Sequence, residues 1–263
     1  MELTFFKYQG AGNDFVMIDN RARVFNGIER ELFEQLCHRR FGIGADGLIL
    51  LQEKEGFDFE MKYYNADGRE STMCGNGGRC VVMFAKQLGI IEANASFLAI
   101  DGPHQAVVLE DGNVSLQMRD VSSIGRDNDA YVLNTGSPHY VQQVNDAKGV
   151  DVYSKGKAIR NSTSYATEGI NVNFVEIIGD GQLKVRTYER GVEDETYACG
   201  TGVTASAIAA SQMQGLPNGD YEYGIETLGG PLAVKYTFDN GTASNIWLTG
   251  PAVKVFDGTM RTA

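Results

Sequence analysis

One short stretch occurs twice in this chain of 263 residues, as Met73-Cys74-Gly75-Asn76-Gly77-Gly78-Arg79 and as Ala198-Cys199-Gly200-Thr201-Gly202-Val203-Thr204. Each copy places a Cys directly before Gly-x-Gly and runs into a segment that reads as helix. The two Cys lie 125 residues apart. A second pair of landmarks, Gly12-Asn13-Asp14-Phe15-Val16 and Gly136-Ser137-Pro138-His139-Tyr140-Val141, begins 124 residues apart. Similar strand-and-turn segments, Lys62 to Gly68 and Arg186 to Gly191, precede the two Cys. Two landmarks at nearly one offset, in matching local context, imply an internal duplication. The fold is therefore expected to be α+β, with two pseudo-symmetric domains, each a mixed or antiparallel sheet wrapped around one central helix. The expected halves are residues 1–120, joined by a returning segment 251–263, and residues 121–250.

The local pattern supports that plan. Alternation and aromatic content predict strands at 3–9, 15–19, 48–51 and 57–64 in the first half. In the second half they predict strands at 171–178 and 183–188 and between 221 and 257. Apolar spacing predicts a helix from Ile28 to Arg40, with Leu32, Phe33, Leu36 and Cys37 on one face. A helix from the first Cys to about Leu88 puts Cys80 beside Val81, Val82 and Phe84, where packing is its expected role. Gly42-Ile43-Gly44-Ala45-Asp46-Gly47 matches the letters of the dinucleotide fingerprint G-x-G-x-x-G. Its order is helix, glycines, strand, whereas pyrophosphate binding needs strand, glycines, helix. It reads as a helix-to-strand connection.

Composition removes several classes of function. A formal charge of −11 argues against nucleic acid or an anionic membrane as partner. The start Met1-Glu2-Leu3-Thr4 has neither the basic nor the apolar region of a secretory leader, so a cytoplasmic location is expected. There the four Cys are expected as thiols. No C-x-x-C or His-rich spacing occurs, so no metal site is expected.

A thiol at a helix start sits at the positive end of the helix dipole among unpaired backbone N–H groups, which favours thiolate. Two such thiols can serve one substrate. One thiolate removes a proton from a carbon and the opposite thiol protonates the other face, which inverts the centre. Such a pair titrates as a coupled unit. Backbone N–H groups at the helix starts, including those of Asn76 and Thr201, would meet a carboxylate where carbanion charge develops. Other readings of the same residues are structural Cys-Gly turns, a non-catalytic amino-acid-binding protein and a dithiol redox protein.

The full set of motifs is more specific. Gly10-Ala11-Gly12-Asn13-Asp14-Phe15, Asn65-Ala66-Asp67-Gly68, Met73-Cys74-Gly75-Asn76-Gly77, Asn171-Val172, Tyr188-Glu189-Arg190-Gly191 and Ala198-Cys199-Gly200-Thr201-Gly202 together resemble diaminopimelate epimerase over essentially the whole chain. Proline or hydroxyproline racemases and phenazine-biosynthesis-type isomerases share the plan but not this set. The resemblance implies an isomerase that uses no cofactor, pyridoxal phosphate included. It would interconvert LL- and meso-diaminopimelate in lysine and peptidoglycan-precursor synthesis, and a homodimer is allowed. It implies Cys74 and Cys199 as the acid/base pair, with Asn13, Asn65, Asn171 and Arg190 holding the amino and carboxylate groups. Gly75-Asn76 and Gly200-Thr201 would present N–H groups to the reacting carboxylate. His139 and Glu189 would tune the thiols and orient the substrate. Two positions depart from the family pattern, Gly47 where many members have Gln and Ser137 where many have Asn. Diaminopimelate has two zwitterionic ends, so a second polar cluster away from the thiols is needed, and Asn65, Asn171 and the fork of Arg190 can supply it.

Overall fold

A computed structural model describes residues 2–261. Met1, Thr262 and Ala263 lie outside the described residues, and with them the first residue of the segment read for a leader and the last two of the expected 251–263 return. The chain divides into two compact units, residues 1–116 with 250–263, and residues 117–249.

The first unit contains β1 (Glu2–Gly10), β2 (Asn13–Asp19), α1 (Arg30–Cys37), β3 (Gly47–Gln52), β4 (Phe59–Asn65) and α2 (Gly75–Gln87). It continues through β5 (Asn94–Ala99), β6 (Gly102–Val108) and β7 (Val114–Gln117). The second contains β8 (Ile124–Asp127), β9 (Ala130–Asn134), β10 (Pro138–Gln143), α3 (Val152–Arg160), β11 (Asn171–Gly179), β12 (Gln182–Glu189) and β13 (Asp194–Thr196). Then come α4 (Gly200–Met213), β14 (Gly219–Thr227), β15 (Gly230–Asp239) and β16 (Thr242–Gly250). The last strand, β17 (Val253–Arg261), pairs antiparallel with β1 in the first unit.

The two units repeat one pairing pattern. In the first, β2 lies antiparallel to β1 and parallel to β3, β4 is antiparallel to β3 and parallel to β5, and β5–β6–β7 is antiparallel throughout. In the second, β10 lies antiparallel to β9 and parallel to β11, β12 is antiparallel to β11 and parallel to β14, and β14–β15–β16 is antiparallel. Parallel neighbours need a long crossover. Each unit has two such crossovers, and they carry α1 and α2, or α3 and α4. By topology β8, which pairs with β9, corresponds to β17, which pairs with β1.

The helices that follow the two Cys are sunk in their sheets. In α2 every residue from Gly75 to Val82 is buried, and in α4 so are Gly200 and Gly202 to Ser211. Burial on all sides favours a helix that is small or apolar all round, as the Gly- and Ala-rich α4 is, whereas α2 also buries Asn76 and Arg79. Both end alike. Gly89 (φ +70°) and Gly215 (φ +62°) adopt left-handed backbone just beyond the helix. Ile90 N then donates to Ala85 O, and Leu216 N to Ser211 O. This is the hydrogen-bond spacing of a glycine-terminated helix.

Several predicted bounds change. α1 is shorter than the expected 28–40: Ile28 is 82% exposed, and His38 closes the helix, its Nδ1 accepting from Arg40 N and Phe41 N. Gly42–Gly47 does connect helix α1 to strand β3. The short strands β8, β9 and β13 have too little alternation to be read locally, and backbone pairing with longer neighbours defines them.

One glycine makes a strong stability prediction. Gly156 of α3 lies against β12, and a Cβ there would stand 2.6 Å from Tyr188 Cγ. Gly→Ala inside a helix normally stabilises by about 0.5–1 kcal/mol. Here overpacking, at about 1–3 kcal/mol, outweighs that gain. Gly156→Ala is expected to lower the urea midpoint; a raised midpoint would show that Tyr188 moves aside freely.

Candidate active site

Each motif Cys caps the helix it precedes. Cys74 has φ −94°, ψ 132° and Cys199 φ −110°, ψ 111°, both extended, and neither side chain caps its own helix by hydrogen bonding. The carbonyls of Cys74 and Cys199 accept the first helical bonds, from Gly78 N at 2.7 Å and Val203 N at 2.9 Å. Each Cys therefore sits at the N-terminal end of a helix, where the dipole is positive. Cys74 is half-buried and Cys199 is 7% exposed. Cys37 and Cys80 are core residues, with burial pushing each thiol up to about 12.

Around Cys74, the side chain of Asn13 is fixed by its neighbours. Its Nδ2 donates to Asp46 Oδ2 at 2.7 Å, which turns Oδ1 toward Cys74 Sγ at 3.6 Å and Asn76 Nδ2 at 3.4 Å. Asp46 is tied by Arg39 (2.6 Å), which also holds Asp14 (2.8 Å), and Lys7 reaches Asp14 at 2.8 Å. Burial opposes ionisation of Asp14, but hydrogen bonds and charge from Arg39 and Lys7 outweigh it and hold the carboxyl far below the usual range. Asn65, exposed, ends β4. Gly47 opens β3 opposite it, and a Cβ there would meet the Tyr63 ring at 2.5 Å. Tyr63 thus occupies the space that a side chain at position 47 would take.

Around Cys199, Thr201 Oγ1 lies 3.4 Å from Sγ, and Thr135 Oγ1 donates to Thr201 O at 2.8 Å. Asn171 opens β11 and gathers a cluster. Its Oδ1 accepts from Arg190 N at 2.9 Å, and its Nδ2 donates to Ser137 Oγ at 2.9 Å and Pro138 O at 3.1 Å. Arg190 Nη2 also donates to Ser137 Oγ at 3.3 Å, and Nη1 to Glu168 O at 3.0 Å. No carboxylate pairs with Arg190 among the described residues, so its charge is available to a carboxylate ligand. Glu189 Oε2 accepts from Thr196 Oγ1 at 2.9 Å. Ser137, a departure from the family pattern, serves here as the hinge-pin joining Asn171 to Arg190.

His139 is wholly buried on β10. Asn173 Nδ2 donates to Tyr140 O (3.2 Å), which fixes its amide, so Nδ1 of His139 must accept from the same group at 3.1 Å. Asn173 Oδ1 accepts from Thr187 Oγ1 at 2.9 Å. Burial, with the charge of Arg190 adding to it and the Asn173 bond opposing, drives the imidazole down to about 3. It is neutral, with its proton on Nε2, and that atom has no hydrogen-bond partner among the described residues. A neutral ring orients; it does not supply a cation. Asn173 was not singled out from sequence. Its signal is the alternation Asn171-Val172-Asn173, which puts two amides on one face of a strand.

The two copies differ beneath the helix starts. Under Gly77 lie Phe15, Ile49 and Met61, whereas a Cβ at Gly202 would meet Asn173 Oδ1 at 2.5 Å and Cys199 Cβ at 3.2 Å. The floor is apolar under α2 and polar under α4.

A duplicated sheet around a buried helix defines a fold class, and solved structures of low sequence identity share it. A phenazine biosynthesis protein of the PhzF family from Bacillus anthracis superposes with a TM-score of 0.76 at 16% identity, covering 100% of both chains. A probable proline racemase from Agrobacterium radiobacter gives 0.70 at 14%, covering 99% of this chain and 93% of that one. The family model described as diaminopimelate epimerase matches residues 5–124 and 131–255. A diaminopimelate epimerase from Flavobacterium psychrophilum is 50% identical over 97% of this chain and 99% of its own length. One from Chlorobaculum tepidum is 42% identical over 95% and 98%. This chain belongs to the diaminopimelate epimerase family.

Proposed function

We propose that this protein interconverts LL- and meso-diaminopimelate by proton transfer between its two motif thiols and the α-carbon. The observation that carries the reading is that Cys74 and Cys199 occupy the same position in the two copies, extended at the mouth of a buried helix, in a chain of this family. The thiolate form of one Cys takes the α-hydrogen as a proton. The electron pair left on carbon delocalises into the α-carboxylate, where N–H groups of Gly75-Asn76 and Gly200-Thr201 stabilise it. The S–H of the other Cys returns a proton to the opposite face. The first Cys ends as thiol and the second as thiolate, ready for the reverse reaction or for exchange with water.

The distal amino-acid end needs partners of both signs. Arg190 offers a guanidinium steadied by Ser137 and Glu168 O, Asn171 offers an amide bonded to Arg190 N, and Asn65 offers one at the end of β4 in the first copy. A substrate without that second end would leave Arg190 without an anion, which disfavours a proline-type substrate.

Incubation with LL-diaminopimelate in deuterated water tests the reading. Meso product carrying deuterium at the α-carbon is the expected result. Binding without exchange would make the protein a binder, and turnover of proline alone would make it a racemase.

A further inference from the structure

The bulkiest side chain with no solvent exposure among the described residues is a charged one, Arg79. It sits on α2 five residues after Cys74, and helical side chains lean back toward the N-terminus. Nη1 donates to Gly75 O at 3.3 Å, Nη2 to Asn76 Oδ1 at 2.9 Å, and Nε to Pro251 O at 3.4 Å. No carboxylate acts on it; Cys80 and Cys74 are the ionisable groups that do among the described residues. A buried guanidinium without a counter-charge is costly, and placing it at the positive end of a helix adds to the cost.

Holding the first turn together does not need that charge. Thr204 occupies the matching place in α4, and its Oγ1 donates to Gly200 O at 2.9 Å. α4 carries no charged side chain. The anion that answers Arg79 must therefore come from its surroundings. Cys80 does not supply it, because burial keeps it a thiol. Among the ionisable groups on the strands packed against α2, exposed Glu2 of β1 does not act on Arg79, Asp19 of β2 pairs with Arg21, and the others are engaged or neutral. Asp14 pairs with Lys7, Lys62 with Glu70 and His104 with Asp101. Glu60 of β4 lies with Arg23 and Lys54. Burial keeps the Tyr8 hydroxyl protonated, and it donates to Gln87. Asn13 Oδ1, 3.6 Å from Cys74 Sγ, favours the S–H form, but a neutral dipole acts more weakly than a buried full charge.

We propose that Arg79 is a positioning residue for Cys74: its buried guanidinium, held under the first turn of α2, stabilises the Cys74 thiolate and makes Cys74 the more acidic of the two motif thiols. In the free enzyme Cys74 then starts as the base and Cys199 as the acid. The proposal rests on the two-thiol reading for its catalytic meaning, but thiol reactivity measures it without substrate.

The test is alkylation by iodoacetamide between about pH 5 and 10, a span that brackets ordinary thiol titration. Each Cys-containing peptide is quantified separately by mass spectrometry. In the wild type, Cys74 is expected to react at lower pH than Cys199; the reverse order overturns the proposal. Arg79→Gln keeps donors for Gly75 O and Asn76 without the charge. It is expected to raise the Cys74 midpoint by about one pH unit, a tenfold loss of thiolate below the midpoint. Arg79→Lys should restore most of that loss, and the Cys199 profile should not move in either variant. A folded Arg79→Gln with an unchanged Cys74 profile overturns the proposal, as does one that weakens diaminopimelate binding alone. Should Arg79→Gln fail to fold, the wild-type order and the Arg79→Lys profile still decide. Loss of epimerisation with the alkylation order intact would instead count against the proposed function.

Discussion

Cys74→Ala and Cys199→Ala should each lower the rate of epimerisation by at least about a thousandfold, within the range that general acid–base groups contribute. Either thiol is indispensable because inversion needs a group on each face, and Cys74 and Cys199 are the residues that open the two buried helices. The double variant is expected to be no slower than either single one, since groups that act as a unit are not additive. The single variants should also part company in deuterated water. With one thiol left, the stereoisomer whose α-hydrogen faces it can lose that hydrogen to solvent without inverting, while the other isomer keeps it. Cys74→Ala and Cys199→Ala should therefore wash out the α-hydrogen of opposite isomers, as read by proton NMR. Full epimerisation by either variant, or washout of the same isomer by both, would sink the two-thiol mechanism.

The duplication was legible because it is written in residues with few substitutes. Glycines beside Cys74 and Cys199 allow a helix to start flush against the strands below, and the nearly equal offsets of two landmarks made the repeat visible. Strands and buried helices followed from alternation and from small or apolar runs. The network around each thiol was less legible. Asp46 orients Asn13 from 33 positions away, and Ser137 joins Asn171 to Arg190 across 34 and 53. Such contacts are set by strand register, which periodicity does not specify. Arg79 was visible in the motif, but a helix pattern reports an Arg as solvent-facing by default, and only three-dimensional packing exposes its burial. Similarly, His139 aligns with Phe15, and Asn173 with Ile49, once the parallel pairings β2–β3 and β10–β11 are laid side by side. One copy built an apolar floor and the other a polar one on the same frame.

That polar floor makes stability of the second unit depend on pH. His139 is held neutral because its fully buried ring falls to about 3 from an ordinary 6.5, whereas in the unfolded chain it titrates normally. The folded state binds the proton less tightly, so the stabilisation is complete above pH 6.5 and is lost as pH falls toward 3. The expected slope is at most about 1.4 kcal/mol per pH unit, and the full loss about 4 to 5 kcal/mol. Asp14 works in the same direction, but as a carboxyl with an ordinary value of 3.8 its contribution fades only at lower pH, and it belongs to the first unit. Glu193 of the second unit, a carboxyl held below its ordinary 4.5, begins to fade near that value, so the interval from pH 6.5 to about 5.5 isolates the imidazole. His139→Phe copies the residue that the first unit uses at the matching position, and Asn173 keeps its bond to Tyr140 O. Urea unfolding across that interval should show wild-type stability falling with acidification while the variant stays nearly flat. Parallel curves would mean that His139 reaches water or an anion before unfolding, and that its neutrality is not what the Asn173–Thr187 network maintains.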